Sequence, residues 1–364
     1  MRLLFRGRAR TPVSAVAAAL CLGSLVVVPA AAAQAGASLA LNCSAYTLSV
    51  ATADPGPEDQ SMWGQLCYRG PVEPATVQLL VAGATYNHTY WNFPYGNGYY
   101  SYVDAAALAG YATFNVDRIG TGNSSHPAGA TLDVESGAVA LHDAIQDLRS
   151  GAVGGHAFSH VIFVGHSYGT LHAWDEISRY HDVDAAILTG ALHGIDPEIV
   201  TATGSDFIEA NTLPQFANLD SGYETVATAA DREALYFDKA TADPNVAAAD
   251  FAGEDTVTTG QLSELPSTLD IGSPPSDAIS QGDTVPTLLV DGEDDFLFCQ
   301  NATVYNCAEP STVLAYEQQY YPPQADLQLA IIPNTGHALA LSTTAPLTDA
   351  TMLAWALAKV SPNA

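Results

Sequence analysis

A layered α/β architecture, with helices flanking a mostly parallel central sheet, is the fold class the 364-residue sequence predicts. Three observations lead there. Short apolar runs recur at 77–81, 112–116, 161–164, 185–188, 287–290 and 327–332, each the length of a buried strand. Amphipathic stretches at 134–149, 169–180 and 347–359 alternate with them and have the length of helices. Hydrophobic residues make up 48 % of the chain and charged residues 14 %, a globular composition rather than a disordered one. Residues before 77 are expected to add short antiparallel strands. The stretch 194–283 breaks the alternation, is rich in Asp, Thr, Ala and Pro, and is too long for a loop, so it is expected to be a cap or lid inserted between two sheet strands. The chain then divides into 1–35, a first core part over 36–193, the cap over 194–283 and a second core part over 284–364. No internal repeat is present.

Residues 1–35 have the layout of a secretory signal peptide: Arg2, Arg6, Arg8 and Arg10, an apolar run, then Pro29 and a string of alanines. Its loss would remove four of eleven basic residues and no acid, leaving seven basic against 39 acidic residues. Such a surface disfavours nucleic acid and anionic lipid, and no later stretch is long and apolar enough for a membrane anchor. Cys21 leaves with the leader. Cys43, Cys67, Cys299 and Cys307 remain, an even number in a chain expected outside the cell. Of three possible connectivities, Cys43–Cys67 with Cys299–Cys307 needs no long-range coincidence. Each bridge would add on the order of 2.5 to 3.5 kcal/mol. No Cys-x-x-Cys or clustered histidine pattern points to zinc.

The strongest chemical signal is Gly165-His166-Ser167-Tyr168-Gly169, directly after one predicted strand and directly before a predicted helix. A serine hydroxyl is a weak nucleophile unless a sharp turn presents it to a base, and flanking glycines allow that turn. The same turn points the Tyr168 amide at a developing oxyanion. Among ten histidines, His166 is adjacent in sequence but is expected to point away. His142, His172 and His181 fall on helices. His337 follows the last predicted strand on a loop at the sheet's C-terminal edge, where α/β sheets bind ligands. It is the expected general base.

With these residues in hand, the sequence resembles the α/β-hydrolase superfamily, in its cap-bearing serine esterase-like branch, over roughly 77–359. A second match supports this: Asp117-Arg118-Ile119-Gly120-Thr121-Gly122-Asn123-Ser124 fits the family's D-x-x-G-x-G-x-S loop. The resemblance implies that Asp117 fixes that loop. It also implies that the triad acid lies three residues past Gly292, at Asp295, with Asp294 and Asp196 as alternatives. Its role is to orient the His337 imidazole and stabilise the imidazolium. The second oxyanion donor falls on the amide of Ala84, in a loop where relatives commonly carry His-Gly and this chain has Ala82-Gly83.

The expected activity is hydrolysis of a small-molecule ester, lactone or thioester by a secreted serine hydrolase, with no cofactor or metal implied. Serine-triad peptidases or amidases and cofactor-free haloperoxidase-like members share these features, and a non-catalytic binding protein of the same fold is a rival of another class. The cluster Tyr86, Tyr90, Trp91, Phe93, Tyr95, Tyr99, Tyr100 and Tyr102 could wall the substrate pocket or simply pack. Asn42, Asn87, Asn123 and Asn301 lie in sequons, which carry sugar only in a eukaryotic host.

Overall fold

The computed structural model describes residues 40–363, so the leader expected over 1–35 lies outside the described residues. Strands β1 (Leu41–Val50) and β2 (Gln60–Arg69) form an antiparallel pair in which Cys43 sits opposite Cys67, and a disulfide joins the two. The chain then enters the parallel part of the sheet through β3 (Thr76–Val81), β4 (Ala112–Val116), β5 (His160–His166) and β6 (Ala185–Thr189). Between β6 and the next main strand lie β7 (Phe207–Glu209), β8 (Tyr223–Val226) and β9 (Val257–Thr258), a small antiparallel sheet of their own. Strands β10 (Thr287–Gly292) and β11 (Gln328–Ile332) complete the large sheet, whose order is β1-β2-β4-β3-β5-β6-β10-β11. Only the β1–β2 and β2–β4 pairings are antiparallel. Every predicted strand forms within two residues of its expected limits.

Nine α-helices cover the sheets among the described residues. Those of the large sheet are α1 (Tyr102–Leu108), α2 (Val134–Ser150) and α3 (Tyr168–Tyr180). The segment between β6 and β10 adds α4 (Pro197–Thr203), α5 (Ala229–Tyr236), α6 (Pro244–Ala252) and α7 (Thr259–Thr268). The chain closes with α8 (Pro310–Glu317) and α9 (Ala345–Lys359). Helix α2 shows why these residues stop and start where they do. Asp133 and Ser136 form a reciprocal capping box at its start, and Gly151 ends it in the left-handed conformation at φ 83°. None of the described helices is long and apolar enough to cross a membrane.

Side chains of β5 alternate between two cores. Val161 and Phe163 face the layer that holds Trp174 and Leu148, whereas Ile162 and Val164 face the layer that holds Trp91, Tyr102 and Met352. Burial on both faces is what lets these parallel strands read as continuous apolar runs. The second disulfide, Cys299–Cys307, closes a short loop between β10 and α8.

Burial also traps charge. Asp349 on α9 is 7 % exposed, and burial pushes its carboxyl up to about 7. A folded-state value above the unfolded one means that the native chain holds the proton more tightly. Stability from this group is therefore full below about pH 4 and is lost as pH rises towards 7, at about 1.4 kcal/mol per pH unit. The stability gain of Asp349→Asn over the parent should grow across that window and level off above it. Urea denaturation at pH 4.5, 6 and 8 checks this, and a gain that ignores pH would refute it.

Candidate active site

The turn between β5 and α3 is tight because two glycines leave no room for anything else. A Cβ on Gly169 would lie 2.3 Å from the Val81 carbonyl oxygen, and one on Gly165 would lie 2.7 Å from the Gly169 carbonyl oxygen. Ser167 between them takes φ 52° and ψ −117°, a conformation that costs an L-residue of order 1–3 kcal/mol. Its amide is anchored to the Thr189 carbonyl at 2.7 Å. The Ser167 side chain lines a cavity of about 380 Å³ together with Ala84 and Tyr168. Among the described residues neither the Ala84 nor the Tyr168 amide has a hydrogen-bond acceptor, so both can serve an oxygen in that cavity.

His337 lies 1 % exposed, with Nδ1 2.7 Å from Asp295 Oδ2. The other Asp295 oxygen accepts the amides of Leu297 at 2.7 Å and Phe298 at 3.2 Å, which fixes the carboxylate's orientation. Tyr236 and Phe298 pack on the His337 ring with centroids 5.5 and 6.0 Å away, and both also line the cavity that holds Ser167. No hydrogen bond joins Ser167 Oγ to His337 among the described residues. The two alternative acids lie elsewhere: Asp196 caps α4 through the Glu198 amide, and the Asp294 amide donates to the Thr335 carbonyl. Asp291, buried behind Asp295, has its carboxyl pushed well up by burial and then by the Asp295 charge.

His166, set aside in the sequence as a candidate base for Ser167, lies beside His337. It stacks on Tyr90 at 4.2 Å and its ring centroid is 4.9 Å from that of His337, because the two-residue period of β5 puts it on the face of Ile162 and Val164. Burial, then His337, holds its imidazole well below the usual range, so it is a neutral neighbour. None of the cluster from Tyr86 to Tyr102 lines the cavity. Tyr86, Tyr90, Trp91, Phe93, Tyr100 and Tyr102 are buried in the layer beneath β5, while Tyr95 and Tyr99 are exposed. The aromatic walls come instead from Tyr168, from Phe207 and Tyr236 of the 194–283 segment and from Phe298.

Asp117 does fix its loop: its carboxylate accepts from the His88 amide and ring and from the Asn123 amide and side chain. Its neighbour Arg118, which sequence reading gave no role, is 3 % exposed and donates to the Gly83 carbonyl at 2.8 Å. Burial lowers its pKa to about 10, and its charge sits 5.7 Å from the Tyr168 ring. Sequence reading also missed a second Ser–His–acid chain. His193 Nδ1 is 2.7 Å from Glu317, and its Nε2 is 3.1 Å from the Ser280 hydroxyl. Ser280 is fully buried and donates to the Tyr320 carbonyl, and the His193 ring is sandwiched by Trp174 and Tyr320. This chain is a fastener with no room for substrate.

The oxyanion-side loop is strained at Thr85, a buried β-branched residue at φ 58°. It is held from the 194–283 segment: its amide donates to the Thr256 carbonyl, its carbonyl accepts from Asp255, and its hydroxyl accepts from Arg232 at 2.9 Å. Arg232 is 1 % exposed and forks onto Asp250 at 2.6 and 3.1 Å. Burial opposes that charge, but Asp250 outweighs it and raises the guanidinium above its usual value. Arg232→Met alone strands the Asp250 carboxylate and should cost about 3–5 kcal/mol. The pair Arg232→Met/Asp250→Leu should recover most of that loss. Urea denaturation of Arg232→Met, Asp250→Leu and the double variant measures the coupling, and additive costs would refute it.

The comparisons with known proteins place this geometry. No curated protein matches the sequence. Solved structures similar in fold include a thermophilic esterase from Thermogutta terrifontis, 17 % identical with TM-score 0.56, over 86 % of this chain and 97 % of that one. Another is a putative aryl esterase from Burkholderia cenocepacia, 14 % identical with TM-score 0.57, over 87 % and 100 %. A bromoperoxidase from Bacillus anthracis is 15 % identical with TM-score 0.54, over 85 % and 99 %. At such identities these likenesses speak for the fold alone. The family model described as the alpha/beta hydrolase family matches residues 78–350, and with that span, this sheet order and this turn, the chain belongs to the alpha/beta hydrolase family.

Proposed function

We propose that the protein is an exported serine hydrolase that cleaves uncharged carboxylic esters through Ser167, His337 and Asp295. The observation that carries this reading is the His337–Asp295 pair at 2.7 Å, roofed by the same Tyr236 and Phe298 that wall the Ser167 cavity. In this mechanism His337 accepts the Ser167 proton through Nε2 while Ser167 Oγ attacks the ester carbonyl. The bond between nucleophile and base is commonly long before substrate binds and tightens in the complex. Asp295 holds the imidazole with Nδ1–H towards itself and stabilises the imidazolium. The Ala84 and Tyr168 amides receive the negative oxygen, each worth roughly 3–4 kcal/mol in the transition state. His337 then gives the proton to the departing alcohol, and water, activated by the same ring, releases the acid.

The cavity supports the substrate class. Leu171, Ile195, Leu235, Leu262 and Leu297 line it and none of its lining residues is basic, while Glu224 adds an acid to the wall. A carboxylate-bearing substrate would find no partner there, whereas an apolar acyl group would be desolvated well. The 194–283 segment supplies much of that wall and acts as the cap. Two disulfides in a chain with a leader-like N-terminus support export.

Ser167→Ala should abolish hydrolysis of a short p-nitrophenyl ester while leaving the melting temperature close to that of the parent. A fluorophosphonate should label the parent at Ser167 and spare the variant. Near-parental turnover in Ser167→Ala, or absence of labelling in the parent, would overturn the reading.

A further inference from the structure

About 14 Å along α3 from its catalytic end, by helix rise, the structure gathers a second set of ionisable groups that this chemistry does not use. His142 comes from α2, Glu176 from α3, and Asp182 from the loop that leads into β6. One ligand atom from each lies within 4.8 Å of the others. His142 Nδ1 is 2.8 Å from Asp182 Oδ2 and 3.9 Å from Glu176 Oε1.

What distinguishes this cluster from an ordinary acidic patch is the state of its atoms. Glu176 has a side chain with no exposed surface, and neither of its oxygens has a hydrogen-bond partner outside this cluster. His142 Nδ1 and Asp182 Oδ1 are buried and lack one too, the 2.8 Å approach to Asp182 Oδ2 notwithstanding. Four orphaned polar atoms therefore converge on one spot, where buried polar groups normally find partners. Burial, then the adjacent Asp182, pushes the Glu176 carboxyl well up.

We propose that His142, Glu176 and Asp182 form a binding site for a divalent transition ion of the zinc class. Two carboxylates and a neutral imidazole carry two negative charges, which such an ion balances. Tetrahedral zinc holds its ligand atoms about 3.4 Å apart, a spacing these three atoms reach by small side-chain rotations. Calcium would require six to eight oxygens, more than the cluster offers. His142 and Asp182 side chains keep 25 and 13 % of their surface exposed, so an ion can enter from solvent and retain a water as its fourth ligand. Outer contacts orient the ligands: Gln146 donates to Asp182 at 2.6 Å, and the Tyr180 ring stacks on His142 at 3.7 Å. The site would clamp α2 to α3 and to the loop before β6, far from the ester chemistry.

The test uses the full chain stripped with chelator and titrated calorimetrically with zinc chloride, with calcium chloride as comparison. One zinc per chain at micromolar affinity or tighter is expected, with a raised melting temperature in zinc and no response to calcium. Glu176→Gln, which keeps the shape, and His142→Ala, on the half-open side, should each weaken binding by more than the roughly 10- to 100-fold that outer-shell changes cost. Cobalt substitution of the parent supplies a check that needs no variant, since a tetrahedral ion gives strong visible absorption. Absence of stoichiometric zinc, or zinc bound unchanged by both variants, overturns the proposal and leaves a proton-sharing carboxyl pair.

Discussion

The close approach of the first turn of α3 to β3 is the constraint on which the site depends. Gly169 leaves no space for a Cβ beside the Val81 carbonyl, so the helix begins against the strand rather than above it. The chain can make that entry only if Ser167 accepts a positive φ, and the price of that strain is met by the packing of β3, β5 and β6 around it. The same strand then continues into the loop that carries Ala84. A Cβ on Gly83 would fall 2.8 Å from the Ser167 Cβ, so loop and elbow are in contact. One strand–helix contact thus sets the separation between the serine and both amides that face its cavity.

The loop is not self-supporting. Thr85, next to Ala84, is held in a left-handed conformation by bonds that all originate more than 100 residues later, from Arg232, Asp255 and Thr256. Helix α5 carries Arg232 into that loop and Leu235 and Tyr236 into the cavity wall. A change in the pose of α5 therefore alters the wall and the donor loop together. Under the proposed function, selectivity and rate would be mechanically linked, because the residues that shape the pocket also restrain the loop that carries Ala84.

How much of this could be read beforehand depended on whether the signal was local. The strands of the large sheet were legible because burial on both faces makes each a continuous apolar run. Ser167 and His337 stood out as candidates because glycine-flanked turns and strand ends mark positions, and the structure pairs His337 with Asp295, which a family spacing from Gly292 had singled out. The 194–283 segment looked irregular because its helices are short, although caps at Thr228, Asp243 and Thr258 were present in the sequence. The aromatic run after the Ala84 loop left two readings open, pocket wall or packing, since composition does not say which face of a sheet a loop folds under; it packs. Arg118, Arg232 with Asp250, and the trio His142, Glu176 and Asp182 were not legible at all. Their partners are set by packing between elements, and no spacing along the chain encodes it.

Two chains of serine, histidine and acid coexist in this fold, and their hydrogen bonds alone would rank them wrongly. The one through Ser280, His193 and Glu317 is fully connected, yet its serine is buried, already donates to the Tyr320 carbonyl and does not line the cavity beside Ser167. The one through Ser167 has an open link between serine and base, yet its serine lies on a strained turn beside two undirected amides and an apolar cavity. A hydroxyl whose proton is already committed to a carbonyl has nothing to offer a base, and a ring sandwiched by Trp174 and Tyr320 cannot move to meet a substrate. Chemistry requires a place for the reacting carbon more than it requires a complete chain of hydrogen bonds at rest. By that criterion the proposed chemistry falls to the unconnected constellation, and the connected one is part of the scaffold that fastens α3, the 279–282 turn and α8 together.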